Sequence, residues 1–220
     1  LGLFSLIISI IISTVFFYSF NENYYEKMYD KLAVADTLSI TNKELFEVND
    51  KLLSYIKGPE NNLDYSIEIN GRTEEFFNQR EKDHMVDVQD LYLNANKIRI
   101  VSFSIALLSF VFAFINKIKK NEFAEVLGKV LLSYGFIIGS ILIYAVLDFD
   151  SFWTTFHHLI FSNDLWLLDP RTDRLINMVP LEFFMGLVFR ILLTLVIVFM
   201  VLFLIKKKLE KDDNDKYSIV

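Results

Sequence analysis

The sequence predicts an all-α polytopic membrane protein: four transmembrane helices with a small, mostly helical extracytoplasmic insert that carries one candidate β-hairpin. Three observations predict it. Apolar runs at 1–20, 98–118, 123–147 and 183–205 each reach the roughly 20 residues that a helix needs to cross a hydrocarbon core. The chain is 53% hydrophobic yet 23% charged, so its charges are segregated from those runs. Lysines cluster in the short link after the second run (Lys117, Lys119, Lys120) and after the fourth (Lys206, Lys207, Lys208). Excess Lys and Arg marks cytoplasmic loops, so both sites face inward, the tail 206–220 is cytoplasmic, and an even number of spans puts the N-terminus inside too. Segments 21–97 and 148–182 then face outward. The chain has no cysteine. Disulfides, thiolate catalysis, thiolate metal sites and lipidation of its own Cys are therefore excluded.

The first run reads as a retained span. Its apolar core is longer than a signal h-region, and Tyr18-Ser19-Phe20 is no small-residue cleavage site. It is apolar all round, as a lipid-facing or bundle helix is, and holds no site. Tyr18, Tyr24 and Tyr25 are expected at the outer interface, where polar-tipped rings collect. The insert 21–97 has sixteen acidic and nine basic residues, a net charge of −7, which weighs against nucleic acid as a partner. Thr41 and Glu44 form a capping box, and a helix follows to Lys57 with Leu45, Val48, Leu52, Leu53 and Ile56 on its apolar face. Gly58 and Pro59 stop it. Asn70-Gly71, between Tyr65–Ile69 and Arg72-Thr73-Glu74, reads as a tight hairpin turn.

Asp83 is the expected N-cap of a helix that runs through Leu91 and Leu93 into the second span. His84 falls in its first turn, with Asp87 one turn on along the same face. Two readings stand open: a surface histidine beside an acid, or a catalytic histidine just above the membrane. Lys97 and Arg99 snorkel from the outer end of the second span. In the third span Gly128, Gly135 and Gly139 share a stripe expected to pack against another helix. The fourth span contains Arg190, whose expected partner is Glu182, Asp164, Asp169, or a substrate carbonyl or phosphate. Structural and functional roles are both open there. Glu182, beside Pro180, alternatively suits the helix start. Asp212, Asp213 and Asp215 read as a solvated cytoplasmic end.

Chemistry concentrates in 152–184, which holds two of the three histidines, both tryptophans and two of the three prolines. Residues 152–161 are apolar but too short to span, and so are interfacial or re-entrant, flanked by Trp153 and Trp166. His157 and His158 point about 100° apart on a helix, so only one faces a given site. No HExxH, GxSxG, phosphate loop or SxxK is present, and no metal or cofactor is expected. Asn163-Asp164 and Asp169-Pro170 are turn formers.

HMVDV at 84–88, and FHHLIFSNDLWLLDPRTDRLINMVPLEFF after one hydrophobic hairpin, resemble the lipoprotein intramolecular transacylase (Lit) family. The likeness is specific in a His-Met-x-Asp-Val box and a Phe-His…Asn-Asp-x-Trp-x-Leu-Asp-Pro box, and the layout of the whole chain agrees. The resemblance implies a four-span plasma-membrane protein of Gram-positive bacteria with an insert between spans one and two. Its substrate would be a diacylated lipoprotein held with membrane lipid. The sn-2 acyl chain of the S-diacylglyceryl cysteine would move to the cysteine's own α-amine, giving a lyso-form lipoprotein. The family's Phe-His falls on Phe156-His157, which makes His158 the bystander.

The chemistry agrees with what the residues offer. An ester becomes an amide within one molecule, so no nucleotide, metal or acyl donor is required. The amine must reach the carbonyl through a ring of about eight atoms, and holding that geometry is the entropic part of the barrier. An α-ammonium of pKa about 7.7–8.0 must lose a proton first, and a histidine is a suited base. His84 and His157 are the expected catalytic pair, one as general base and the other as acid or carbonyl polariser. Asp87 or Asp164 would orient an imidazole, and Asn163, Trp166, Arg190 or backbone N–H groups would hold the oxyanion. The rival reading is a non-enzymatic membrane sensor or chaperone whose acidic insert binds a partner.

Overall fold

The computed structural model describes residues 1–69 and 72–217. The side chains of Ile69 and of residues 212–217 lie outside that description, as do the Asn70-Gly71 turn and the side chains of Asp212, Asp213 and Asp215. Nine helices and one two-stranded sheet occur among the described residues. The chain divides into two compact units: 1–17, 97–149 and 188–220 form the first, and 18–96 with 150–187 the second.

Helices α1 (Gly2–Ser19) and α6 (Lys120–Leu147) lie largely in the first unit, with the C-terminal parts of α5 (Gln79–Ile115) and α9 (Leu181–Tyr217). All four are long and apolar enough to cross a membrane, which bears out the predicted architecture. At about 1.5 Å per residue the 37 residues of α5 extend for about 55 Å, against a hydrocarbon core of about 30 Å. The helix of the second apolar run therefore begins nearly twenty residues before that run does. Leu3, Leu127 and Leu131 form a small core with Phe110, Phe123 and Phe199 around it. Phe112, Phe114, Leu132, Phe136 and Leu147 are all more than half exposed. Surface of that kind is stable only where lipid, not water, covers it.

Glycines locate close approaches. A Cβ on Gly2 would stand 2.4 Å from the Ser109 Cβ, so α1 and α5 meet there more closely than any side chain allows. The predicted stripe on α6 divides. Gly128 lies under the Lys206 side chain, but nothing described stands within 4 Å of a Cβ at Gly135 or Gly139. The packing expected of those two is not made within the described residues.

The second unit is the insert. Asn21 caps α2 (Glu22–Lys31) by accepting from the Tyr24 amide at 3.0 Å. A one-turn α3 (Val34–Leu38) lies between Ala33 and Ser39, both with left-handed backbone. The Thr41–Glu44 capping box opens α4 (Asn42–Lys57), and Gly58 at φ 97° ends it. Leu45, Val48, Leu52 and Leu53 are buried as patterned. Strands β1 (Ser66–Ile69) and β2 (Arg72–Glu75) pair antiparallel with Ile69 opposite Arg72, as the hairpin reading requires.

Tyr24 and Tyr25 depart from expectation. Rather than lying at an interface, they are 3% and 7% exposed and pack with Tyr29 on Phe183. Polar-tipped rings can be buried when the hydroxyl finds an acceptor. Tyr24 donates to the Phe183 carbonyl at 2.6 Å, Tyr25 to the Ser19 carbonyl at 2.9 Å, and Tyr29 to Asn49 Oδ1 at 2.8 Å.

Candidate functional site

The site is built on the polar first turns of α5. The helix begins four residues before the expected Asp83. Asn78 Oδ1 accepts from the Glu81 amide at 3.1 Å while Glu81 Oε2 accepts from the Asn78 amide at 2.7 Å. This reciprocal cap was legible as Asn-x-x-Glu. Asp83 instead lies inside the helix, accepting from Gln79 Nε2 at 2.8 Å. With the start shifted, Arg80, His84 and Asp87 share one helix face at spacings of four and three, with Glu81 beside them.

That face grips the segment that follows α7 (Phe149–Ile160). Asp87 accepts from Asn163 Nδ2 at 2.8 Å, and the Arg80 guanidinium donates to the Asp164 carbonyl. Glu81, 1% exposed, accepts from the Leu175 amide at the start of α8 (Arg174–Met178) at 2.5 Å. Asn78 Nδ2 donates to Asp173 Oδ1 at 2.7 Å. Four ties thus fix the 163–175 segment against one helix. Within it, Asn163 Oδ1 accepts from the Leu165 amide at 3.0 Å, the turn-forming bond predicted for this residue.

The clamped segment carries Trp166 onto His157, with ring centres 4.8 Å apart and nearly parallel. His157 sits in the last turn of α7, and its Nδ1 is 2.8 Å from the Trp153 carbonyl one turn earlier. A carbonyl oxygen only accepts, so Nδ1 carries the hydrogen and Nε2 keeps the lone pair. His84 and His157 stand 6.4 Å apart between ring centres, and Phe161 packs on both, at 5.3 Å and 5.7 Å. Trp153 and Phe156 meet His157 edge-on. Burial among these rings governs the protonation of both. It pulls His84 down to about 4, assisted by His157 and Arg80 and opposed by Asp87. Burial also lowers His157, the Trp153 hydrogen bond acting against it. Burial thus favours the neutral form of both imidazoles. Among the described residues, His84 Nδ1 and Trp166 Nε1 are buried without a hydrogen-bond partner.

The other expected residues take different parts. Asp87 holds Asn163 and acts on His84 through its charge. Asn163 spends its amide on that contact. Asp164 contributes its backbone carbonyl, its side chain being exposed. Asp169 pairs with Arg171 at 2.6 Å on the surface, which lowers its carboxyl below the usual range. Glu182 is exposed in the first turn of α9, where its charge suits the helix N-terminus. Arg190 belongs to the first unit, exposed on α9. His158 is exposed and presents its edge to Trp166 at 4.9 Å. Arg80, Glu81, Asn78, Asp173 and Phe161 were not singled out from the sequence. Arg80 and Glu81 had a signal, since both share the His84 face.

The fold and this cluster together define an integral membrane protein that holds two imidazoles side by side among aromatic rings, burial favouring their neutral form. The family model for the lipoprotein intramolecular transacylase Lit matches residues 1–184. The chain belongs to the Lit family, and is thereby an acyltransferase whose substrate is a lipoprotein. It is similar in fold to the in meso structure of the membrane integral lipoprotein intramolecular transacylase Lit from Bacillus cereus. The TM-score is 0.79 at 21% identity, over 97% of this chain and 94% of that one. Two further structures of the Bacillus cereus protein, with one histidine changed to arginine or to alanine, match with TM-scores of 0.73. The arginine form is 20% identical over 98% of this chain and 91% of its own, and the alanine form 21% over 97% and 92%. No curated protein matches.

Proposed function

We propose that this chain moves the sn-2 O-acyl chain of a lipoprotein's S-diacylglyceryl cysteine to that cysteine's own α-amine, leaving a lyso-form lipoprotein. The reaction runs by histidine acid–base catalysis at the outer membrane–water interface, with both chain termini in the cytoplasm. The observation that supports this most is the pair of neutral imidazoles at 6.4 Å, one with its tautomer set by Trp153. They are too far apart to bond directly. A reacting group bound by both would need to lie about 3 Å from a nitrogen of each ring.

His157 is the base. Its Nε2 lone pair is available, and the Trp153 bond offsets part of the effect of burial, whereas His84 is pulled down to about 4. Nε2 takes the amine proton as the C–N bond forms and returns it to the sn-2 oxygen as the C–O bond breaks. One proton passes from nitrogen to oxygen, and no charge is left on the enzyme. His84 stays neutral and donates to the ester carbonyl. Trp166 Nε1–H, buried and unpartnered among the described residues, is the second donor to the oxyanion. Asp87 and Asn163 position rather than react.

The test is mass analysis of a lipoprotein N-terminal peptide carrying an isotope-labelled sn-2 chain, made in a host lacking the activity. Label on nitrogen is expected with the wild type and none with His84→Ala or His157→Ala. Wild-type product from both variants, or label retained on glycerol, refutes the assignment. The chain has no cysteine, so one introduced at Asp164 reports orientation through an impermeant maleimide on intact cells. Labelling only after lysis refutes the outward face.

A further inference from the structure

One turn of α5 before His84, the insert holds a cavity of about 330 Å³ that the proposed acyl transfer does not use. Thr37 and Leu38 of α3, Phe76, Glu81, Asp173 and Arg174 are among its walls, and every lining residue lies in the second unit. The walls are tied before any ligand arrives. Asp173 accepts from Asn78 and from the Asp169 amide, both at 2.7 Å, and Glu81 accepts from the Leu175 amide. Arg174 reaches the Glu74 carboxylate and the Glu75 carbonyl, each at 2.7 Å. Glu74, Glu75, Glu81 and Asp173 outnumber Arg171 and Arg174 in the lining, which disfavours a lone anion. An extended chain of amides would meet both acceptors and donors in these walls.

Position selects the occupant. Glu81 precedes His84 by three residues, a rise of about 4.5 Å along the helix axis, on the side away from the apolar stretch of α5. At the reacting cysteine a lipoprotein divides: acyl chains go into the bilayer and the peptide leaves toward water. An extended chain advances about 3.3–3.6 Å per residue, so the second residue beyond the cysteine reaches the level of the cavity. The volume is that of a small ligand site, enough for a few residues. We infer that this cavity receives the extended peptide following the lipidated cysteine, at residues two to four beyond it. The inference rests on the histidine-site reading above.

The test compares S-diacylglyceryl-cysteine amide with the same group carrying a five-residue peptide, in proteoliposomes, with N-acyl product read by mass spectrometry. Wild-type kcat/KM is expected to favour the peptide substrate about tenfold, remote binding energy being used at the reacting centre. Thr37→Trp fills the cavity from α3, where Thr37 is exposed, and is expected to bring that ratio near one. Equal kcat/KM for both substrates with the wild type, or an undiminished ratio in Thr37→Trp, overturns the inference. A benzophenone amino acid at position 37 is expected to crosslink residues two to four of the peptide. A protein that turns over substrate yet gives no peptide adduct overturns it independently of how the tryptophan variant folds. Turnover of neither substrate by the wild type refutes the histidine-site reading instead.

Discussion

Replacing Asp87 with alanine tests whether the clamp on the Trp166 segment matters. The Asp87–Asn163 contact is a charge-assisted hydrogen bond of 2.8 Å between two half-buried side chains, in sequence 76 residues apart. Bonds to charged groups contribute about 1.5–3 kcal/mol, and partial exposure points to the lower end. Asp87→Ala also removes the charge that holds His84 up against burial, so His84 falls below its wild-type value. Asp87→Asn keeps an oxygen for Asn163 and loses only the charge. A double-mutant cycle over Asp87→Ala and Asn163→Ala, read by thermal unfolding in detergent, should return a coupling of about 1–2 kcal/mol. Lipopeptide turnover should fall in both single variants and fall little further in the double, while Asp87→Asn keeps most of the stability. Strict additivity, with coupling below about 0.3 kcal/mol, would mean that the contact is incidental and the clamp argument wrong.

Further outcomes concern the two histidines and the glycines of α1 and α6. His84 has a folded pKa of about 4 against 6.5 unfolded, so below pH 6.5 the unfolded chain binds the proton first. The His84 contribution to stability is therefore full above pH 6.5 and falls toward pH 4 by about 3 kcal/mol, and His84→Gln should reduce the measured loss by that amount in unfolding scans across that range, leaving the His157 part. With both imidazoles neutral, kcat/KM should rise to a plateau near the amine pKa of about 8 and show no inflection at 6.5, as a pH–rate series will reveal. Gly2→Leu sets carbon against Ser109 Cβ, where only 2.4 Å is available even for a Cβ, and should lower the melting temperature by the equivalent of about 1–3 kcal/mol. Gly135→Leu, with open space around it, should change it little.

Local signals were readable where the interaction itself is local. The Thr41–Glu44 box, the Gly58 stop and the hairpin register each depend on residues within a few positions, and all three appear. The four long apolar helices are as direct, since composition alone decides what a bilayer accepts. What escaped depended on distant partners. Tyr24 reads as an interface residue until the Phe183 carbonyl, 159 positions away, takes its hydroxyl. Nothing near Asn163 announces that its amide will be spent on Asp87. The start of α5 falls at Asn78 and not at Asp83, two capping residues that compete within six positions. Glu81 decides between them by serving the Asn78 amide and the Leu175 amide at once.

That double duty of Glu81 links folding to chemistry. A carboxylate 1% exposed is expensive, and burial raises its pKa, yet three amide donors, from Asn78, Leu175 and Arg174, act in the other direction. The same side chain starts the helix that carries His84 and anchors α8, which closes the segment carrying Trp166. An intramolecular acyl transfer has donor and acceptor already joined, so the enzyme's task is to hold a ring-forming geometry, not to store an acyl group. Rigidity in the flanking segment is then worth more than a strong base. Neutral, desolvated imidazoles suit that division. Under the proposed mechanism they would leave the amine's own pKa to set the reactive fraction, and would add no charge for the surrounding aromatic rings to solvate.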